Sequence, residues 1–449
     1  MPDILLVILA VIFVLGVAIN IHEFGHFMIA KLFGMRVEAY SFFGLGPRIW
    51  GFKKGHTDYR ISAIPLGAYV KLYGDEVTAP LEGGASEGEK VPDSELYELR
   101  PRWQKFLVML GGPFMNIVLA LAIPFAGALI YGVPSMPSPL IANVKAGGAA
   151  ETAGIKVGDR IVAFEGVENP TWDRIKNDSL VSPEKQIPLT VERDGKRVDL
   201  TIRPSKEDIK GNSVGSLDLD PTELVVMSPR ADSPAFEAGI QKGDKAIALN
   251  GTTITGVESF REMVQANKDN PIRLTLVRNN ETKEVVVRAN VGEDGRALIG
   301  VDISKESLDK EKASIGQAAA FAVNTNFEMM RLTGKVIGQL FSGQRSVKDA
   351  GLAGPVGIVQ LISQVVREAG FVGLVQILAI ISLNLGVFNL LPIPLLDGGQ
   401  IAVLGIEKVM AWFGKTLSIG IREKIQLAGL AIILLLIVFV TFLDVSRFF

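Results

Sequence analysis

The chain contains no cysteine, which excludes disulfide staples, thiolate metal sites and cysteine nucleophiles. Any metal must be held through nitrogen and oxygen. Histidine is scarce too, with three among 449 residues. Charge imbalance is small: the formal net charge is −2, and no Lys/Arg-rich run stands out, so nucleic acid is set aside as a partner. What the chain has in quantity is apolar surface. Hydrophobic residues make up 48% of it, more than a wholly soluble protein of this length needs.

Four uncharged runs, 4–21, 106–133, 369–396 and 426–443, are each long enough to cross a bilayer, which takes about 20 apolar residues. The first is expected to be a retained span and not a cleaved leader, because Met1-Pro2-Asp3 lacks a basic start. Lys and Arg then set the orientation. The segment between the first two runs carries Lys31, Arg36, Arg48, Lys53, Lys54, Arg60, Arg100, Arg102 and Lys105, and that between the last two carries Lys408, Lys415, Arg422 and Lys424. Both are expected in the cytoplasm, which puts both termini and the long middle region outside.

The middle region is duplicated. AETAGIKVGDRIVAFEG (150–166) returns as AFEAGIQKGDKAIALNG (235–251), with Gly154/Gly239, Gly158/Gly243, Asp159/Asp244 and Gly166/Gly251 in register. A helix-like stretch and alternating strands follow each copy. The pattern resembles the bacterial PDZ domain over 140–203 and 222–288. That resemblance implies two α+β modules able to take extended peptides or chain ends by strand addition.

Two of the three histidines fall in His22-Glu23-Phe24-Gly25-His26, an H-E-x-x-H motif at the cytoplasmic end of the first apolar run. Residues i and i+4 share a helix face, so both imidazoles can reach one ion, with Glu23 beside it as base for the attacking water. Ionisable groups at membrane depth are costly and tend to mark function. His56 lies in a Lys/Gly-rich turn and reads as solvated. A catalytic zinc takes three protein ligands and leaves one position open. The third must be a carboxylate, with Glu38, Asp75, Asp397 and Asp444 as candidates. Asp397 is favoured, because it closes a span in the string NLLPIPLLDG (389–398), whose prolines break the helix and free backbone groups that need a protein-lined or watery cavity.

H-E-x-x-H in the first span, N-x-x-P-x-P-x-L-D-G in the third and tandem PDZ copies between spans two and three resemble the site-2 protease family, in the branch that regulates sigma-E. The resemblance covers essentially the whole chain. It implies an intramembrane zinc metalloprotease of the bacterial inner membrane with one Zn2+ per chain, held by His22, His26 and Asp397, and Glu23 as catalytic base. It further implies substrate contacts at Asn389, more weakly Asn384, at Pro392 and Pro394, and at Gly67, Ala68 and Tyr69. Implied partners are the lipid bilayer and single-span membrane proteins of the anti-sigma factor type, already trimmed outside, with leftover signal peptides as a further class. Where relatives commonly read L-D-G-G-H and P-L-G-G-Y, this chain has Gln400 and Ala68, neither of them a ligand position.

The expected architecture is therefore a multi-pass α-helical membrane protein with four transmembrane helices and two periplasmic PDZ domains. Its expected parts are 1–139 (membrane), 140–208 and 209–305 (PDZ), 306–370 (amphipathic helices broken at Gly351, Gly354 and Gly357) and 371–449 (membrane). Residues 59–73 alternate like a β-hairpin turning at Pro65-Leu66-Gly67, and the resemblance implies a membrane re-entrant loop there. The acidic, Gly-rich stretch 75–93 reads as a linker. A membrane-anchored PDZ scaffold with a non-catalytic metal site is the alternative function.

Overall fold

The computed structural model describes residues 2–64, 67–74, 91–133, 138–209, 212–222, 225–278, 281–292, 295–304, 313–346, 354–415 and 417–446. Contacts divide the chain into unit 1 (Met1–Ala128, Ala318–Phe327 and Leu352–Phe449) and unit 2 (Leu129–Gln317 and Glu328–Gly351). The linker at 75–93 lies outside the described residues up to 90, as do Pro65, Leu66, Asp75 and Gly351.

Among the described residues, four helices are long and apolar enough to cross a membrane: α1 (Pro2–Leu32), α2 (Arg102–Tyr131), α8 (Pro355–Asn389) and α10 (Ile419–Ser446). α1 ends as an apolar helix must when no residue caps it. Gly34 takes a left-handed φ of 66°, and the Met35 N–H returns 2.9 Å to the Ala30 carbonyl. In the last turn Lys31 donates to Thr57 Oγ1 (2.7 Å), which in turn donates to the Val37 carbonyl (2.9 Å), tying the helix to the sheet that follows.

That sheet has four strands, β1 (Val37–Phe43), β2 (Leu45–Lys54), β3 (Thr57–Ile64) and β4 (Tyr69–Leu72), in the order β2-β3-β1-β4. The hairpin expected over 59–73 is therefore not one. β3 and β4 flank β1, parallel to it on one side and antiparallel on the other, and the hairpin is β2–β3, turning at Gly55-His56. Alternation identifies a strand but not its partner.

α8 runs through Gly357 without a break. Its irregularity is Gly370, at φ 59° and ψ −147°, where the expected third span begins. Asp397 does not close that helix either. α8 stops at Asn389, residues 390–396 are irregular, and Asp397 opens the next helix, α9 (Asp397–Trp412), in what was expected to be a plain charged connection. α8 begins at Gly354, which has no side-chain cap of its own. Asp444 of α10 supplies one by accepting from the Gly354 N–H (3.1 Å) and the Gly357 N–H (2.8 Å).

In unit 2 each repeat is a six-stranded antiparallel sheet, five strands in a row with a two-residue strand (Val167–Glu168 or Thr252–Thr253) paired beside the third, covered by a short and a longer helix. The first copy runs Leu219–Thr222, Ser138–Val144, Arg160–Phe164, Ile187–Arg193, Lys196–Ile202, with α3 (Ala149–Thr152) and α4 (Trp172–Leu180). The second runs Val301–Ser304, Val225–Pro229, Asp244–Leu249, Ile272–Arg278, Glu281–Val287, with α5 (Pro234–Glu237) and α6 (Val257–Ala266). The strand that completes the first sheet lies beyond residue 208, so the first copy reaches to Thr222. A helix-like stretch and alternating strands were legible, but the edge strand comes after an intervening hairpin, Ser205–Ile209 with Asn212–Ser216.

The duplication extends into the packing. Ile187, Leu189 and Val191 are buried like Ile272, Leu274 and Leu276, and Ile175 like Phe260. The repeated Gly-Asp has a structural cause. Asp159 accepts from Arg193 (2.7 Å) and from the Lys156 N–H, while Arg193 also donates to the Gly154 carbonyl. Asp244, Arg278, Gln241 and Gly239 repeat every one of these bonds.

The copies differ at the longer helix. Asp178 of α4 is wholly buried and accepts from Arg174, from Arg331 (2.7 Å) and from Lys335 (3.1 Å), the last two on the part of α7 (Ile315–Phe341) that belongs to unit 2. The corresponding residue in α6 is Met263, packed on its own core.

Candidate metal centre

α1 presents His22 and His26 on one face, their Nε2 atoms 3.2 Å apart. Asp397 brings Oδ2 to 3.1 Å from His22 Nε2 and Oδ1 to 3.4 Å from His26 Nε2. The three side chains are only 9 to 12% exposed. These spacings fit one tetrahedral ion: ligand atoms at 2.0–2.2 Å from zinc stand about 3.3 Å from one another. Asp397 Oδ2 is buried and makes no hydrogen bond, as expected of an atom whose partner is a cation. His26 Nδ1 lies 2.7 Å from the Val108 carbonyl, an acceptor only, so Nδ1 carries the proton and Nε2 keeps its lone pair for the ion. Glu23 stands beside the three, within electrostatic range of His22, His26 and Asp397.

Close backbone approach makes this geometry possible. A Cβ on Gly25 would lie 2.1 Å from the Gly111 carbonyl oxygen, so the fourth residue of the motif is glycine because α2 crosses there. A Cβ on Gly112 would lie 2.4 Å from His26 Nε2 and 2.8 Å from His22 Cε1. α2 thus walls the ion site with bare backbone. On the other side, 390–396 folds back against the start of α9. A Cβ on Gly398 would meet the Leu390 carbonyl at 2.2 Å, and one on Gly399 the Ile393 carbonyl at 2.1 Å. Leu395 sits in this loop at φ 80°, an uncommon and strained conformation for a large side chain, two residues before the carboxylate it helps aim.

Of the other expected site residues, Asn389 reaches the cluster, its side-chain amide 3.3 Å from His22 Nε2. Pro392 is exposed and Pro394 half-buried in the loop. Asn384 is half-buried in α8 and makes no hydrogen bond to the cluster. Gly67 and Ala68 lead into β4, which Tyr69 opens, with the Arg60 guanidinium 5.1 Å over its ring. Glu38 is paired with Lys71 (3.0 Å) and Asp444 caps α8, so neither is available as a third ligand. Sequence reasoning missed Gly112, Asn116 and Ser382. Asn116 was findable: it is the one strongly polar side chain in the run 106–133 apart from a terminal tyrosine.

The family model for peptidase family M50 matches residues 10–436. The chain belongs to peptidase family M50. It is 31% identical over 464 residues to the regulator of sigma-E protease RseP of Salmonella typhimurium, covering 98% of each chain. It is 30% identical to the Escherichia coli K12 protein of that name, over 96% of this chain and 97% of the other. A relative from Pasteurella multocida named as a zinc metalloprotease is 30% identical over 97% and 98%. This M50 peptidase is thus a metalloprotease, and zinc is the metal its relatives imply.

Proposed function

We propose that the chain is an intramembrane endopeptidase that holds one zinc ion through His22, His26 and Asp397, with Glu23 as general base. The observation that carries this reading is the convergence of two imidazole Nε2 atoms and the two oxygens of one carboxylate, with contacts of 3.1 to 3.4 Å and one of the oxygens orphaned. When bound, zinc supplies Lewis acidity, making a water acidic and polarising the scissile carbonyl. Glu23 takes the water proton and returns it to the leaving amine. Asn389 and the loop bearing Pro392 and Pro394 seat the substrate. A helical substrate hides its carbonyls in i to i+4 bonds and must be opened first. β4, an edge of its sheet that Gly67 and Ala68 lead into, offers strand pairing to the opened segment.

The names of the relatives tie them to sigma-E regulation, and on that basis the substrates are proposed to be single-span proteins of the anti-sigma factor type after outer trimming, with remnant signal peptides beside them. The protein then sits in a bacterial inner membrane, with both termini and the two PDZ-like repeats periplasmic and the zinc near the cytoplasmic side. The repeats hold chain ends in their grooves and keep untrimmed, bulky-headed substrates out. If a variant with 140–303 replaced by a flexible linker leaves an untrimmed substrate as resistant as before while cutting the trimmed one, that filter role is lost.

The central test is Glu23→Gln in the full chain, reconstituted with a single-span substrate. Cleavage should vanish while about one zinc per chain remains, and phenanthroline should inhibit the wild type reversibly. Persistent cleavage in the variant would refute Glu23 as base. A wild type that binds zinc but cuts nothing would favour the anchored scaffold.

A further inference from the structure

Both metal-facing histidines must keep the Nε2 lone pair free. For His26 a backbone carbonyl secures this, but among the described residues His22 Nδ1 meets a side-chain amide instead. Its neighbour there is the side-chain amide of Asn116, at 3.3 Å, fully buried in α2. Ser382, equally buried in α8, has its hydroxyl oxygen 2.9 Å from the Asn116 backbone carbonyl and 3.3 Å from the other end of the same amide.

The chain of bonds has one consistent polarity. A serine hydroxyl has a single proton, and its shortest contact is to a backbone carbonyl, which can only accept. That proton is therefore committed, and Ser382 Oγ must accept from whatever else approaches. The amide end beside it has to be the NH2 group. As placed, the amide has Nδ2 toward the ring and Oδ1 toward the hydroxyl, but a half-turn about Cβ–Cγ exchanges two ends of nearly equal size. After that turn the amide oxygen faces His22 Nδ1. An amide oxygen can only accept, so Nδ1 carries the proton and Nε2 holds a lone pair toward Asp397 and His26. The reverse polarity would set an NH2 donor against Nδ1, force the ring proton onto Nε2 and aim an N–H at the ion.

We infer that Asn116 and Ser382 are positioning residues, a two-link relay from α8 through α2 that selects the Nδ1–H tautomer of His22. The inference rests on His22 being a ligand. It gives Ser382, which touches neither ion nor ligand, control over metal retention.

The test uses the full chain in detergent with 15N-labelled histidine, a tractable experiment because only three histidines exist. In the metal-free wild type, Nδ1 of His22 should be the protonated ring nitrogen and Nε2 the bare one. Ser382→Ala should mix the two tautomers at His22 and leave His26, bonded to Val108, unchanged. Zinc release should quicken on the order of 10-fold in Ser382→Ala and up to about 100-fold in Asn116→Leu, the range for lost outer partners of metal-bound histidines. Asn116→Asp, whose carboxylate accepts from Nδ1–H without help, should restore slow release and make a second change at Ser382 silent. A wild-type His22 protonated on Nε2 overturns the relay, as does zinc release from Ser382→Ala at the wild-type rate. Zinc that leaves the His22 signals unmoved would instead sink the ligand assignment, a distinguishable failure.

Discussion

Among the described residues, two of the buried clusters of ionisable groups, one in each unit, are built on opposite terms. Around Asp178 a wholly buried carboxylate meets Arg174, Arg331 and Lys335, and Glu328 and Glu165 pair with these cations in turn, so three carboxylates face three cations and both Asp178 oxygens have donors. Around Asp397 a nearly buried carboxylate meets two imidazoles, and one of its oxygens has no hydrogen bond at all. The first cluster is closed and holds α7 to the first repeat. The second is left one cation short. Burial of charge marks function only where the local groups do not satisfy one another.

The comparison breaks most sharply at Asp397. Asp397→Asn should weaken zinc binding by well over the 10- to 100-fold typical of outer partners, while Asp444→Asn keeps wild-type zinc by metal analysis of the purified full chain. Equal zinc in Asp397→Asn and wild type would mean that the open cluster is not a metal site. Next comes Gly112→Ala, which places a methyl 2.4 Å from His26 Nε2. Zinc content and proteolysis should both fall at least about tenfold, with the helices still formed by circular dichroism.

Asp178→Ala tests the closed cluster. It removes the one wholly buried carboxylate of the cluster, leaving Arg331 and Lys335 only their half-exposed partners Glu328 and Glu165, and should cost about 3 kcal/mol of local stability, read as faster hydrogen exchange in α4, with zinc content unchanged. Asp178→Met combined with Arg331→Met and Lys335→Met should recover most of that loss, since the second repeat already uses Met263 at this position. The smallest effect is on pH. Burial would raise the Asp178 carboxyl, but hydrogen bonds from Arg331 and Lys335 outweigh it and hold it below the usual carboxylate range. A group lowered on folding stabilises above its unfolded pKa of about 3.9 and loses that contribution as pH falls further. Exchange protection in α4 should therefore be constant near neutrality and drop below about pH 4, and Asp178→Asn should flatten the drop.

Much of the metal centre was legible because its chemistry is local. H-E-x-x-H fixes two side chains on one helix face whatever the rest of the chain does, and Asp397 stood out through its prolines. What could not be read was which element that carboxylate belongs to, since a proline-broken string marks an end and a beginning equally well. The repeats were legible from their Gly-Asp register, but not the strand at Leu219–Thr222, which completes the first sheet only by a long-range pairing. Pairing also defeated the expectation for residues 59–73, where β1 separates two strands that look like a hairpin in sequence. Gly112 and Ser382 carry no signal of their own, for one matters by lacking an atom and the other by the direction of a single proton.

The packing of Gly398 and Gly399 against the 390–394 backbone leaves no room for Asp397 to move independently of the loop that carries Pro392 and Pro394. On the function proposed above, ligand and loop are one body, so metal occupancy and loop order would be thermodynamically linked, with linkage running equally in both directions. Whatever factor zinc adds to the ordered loop, an ordered loop returns as zinc affinity. On that proposal a peptide gripping the loop would tighten the metal site it is about to meet, and a chain that lost its ion would also loosen its hold on substrate.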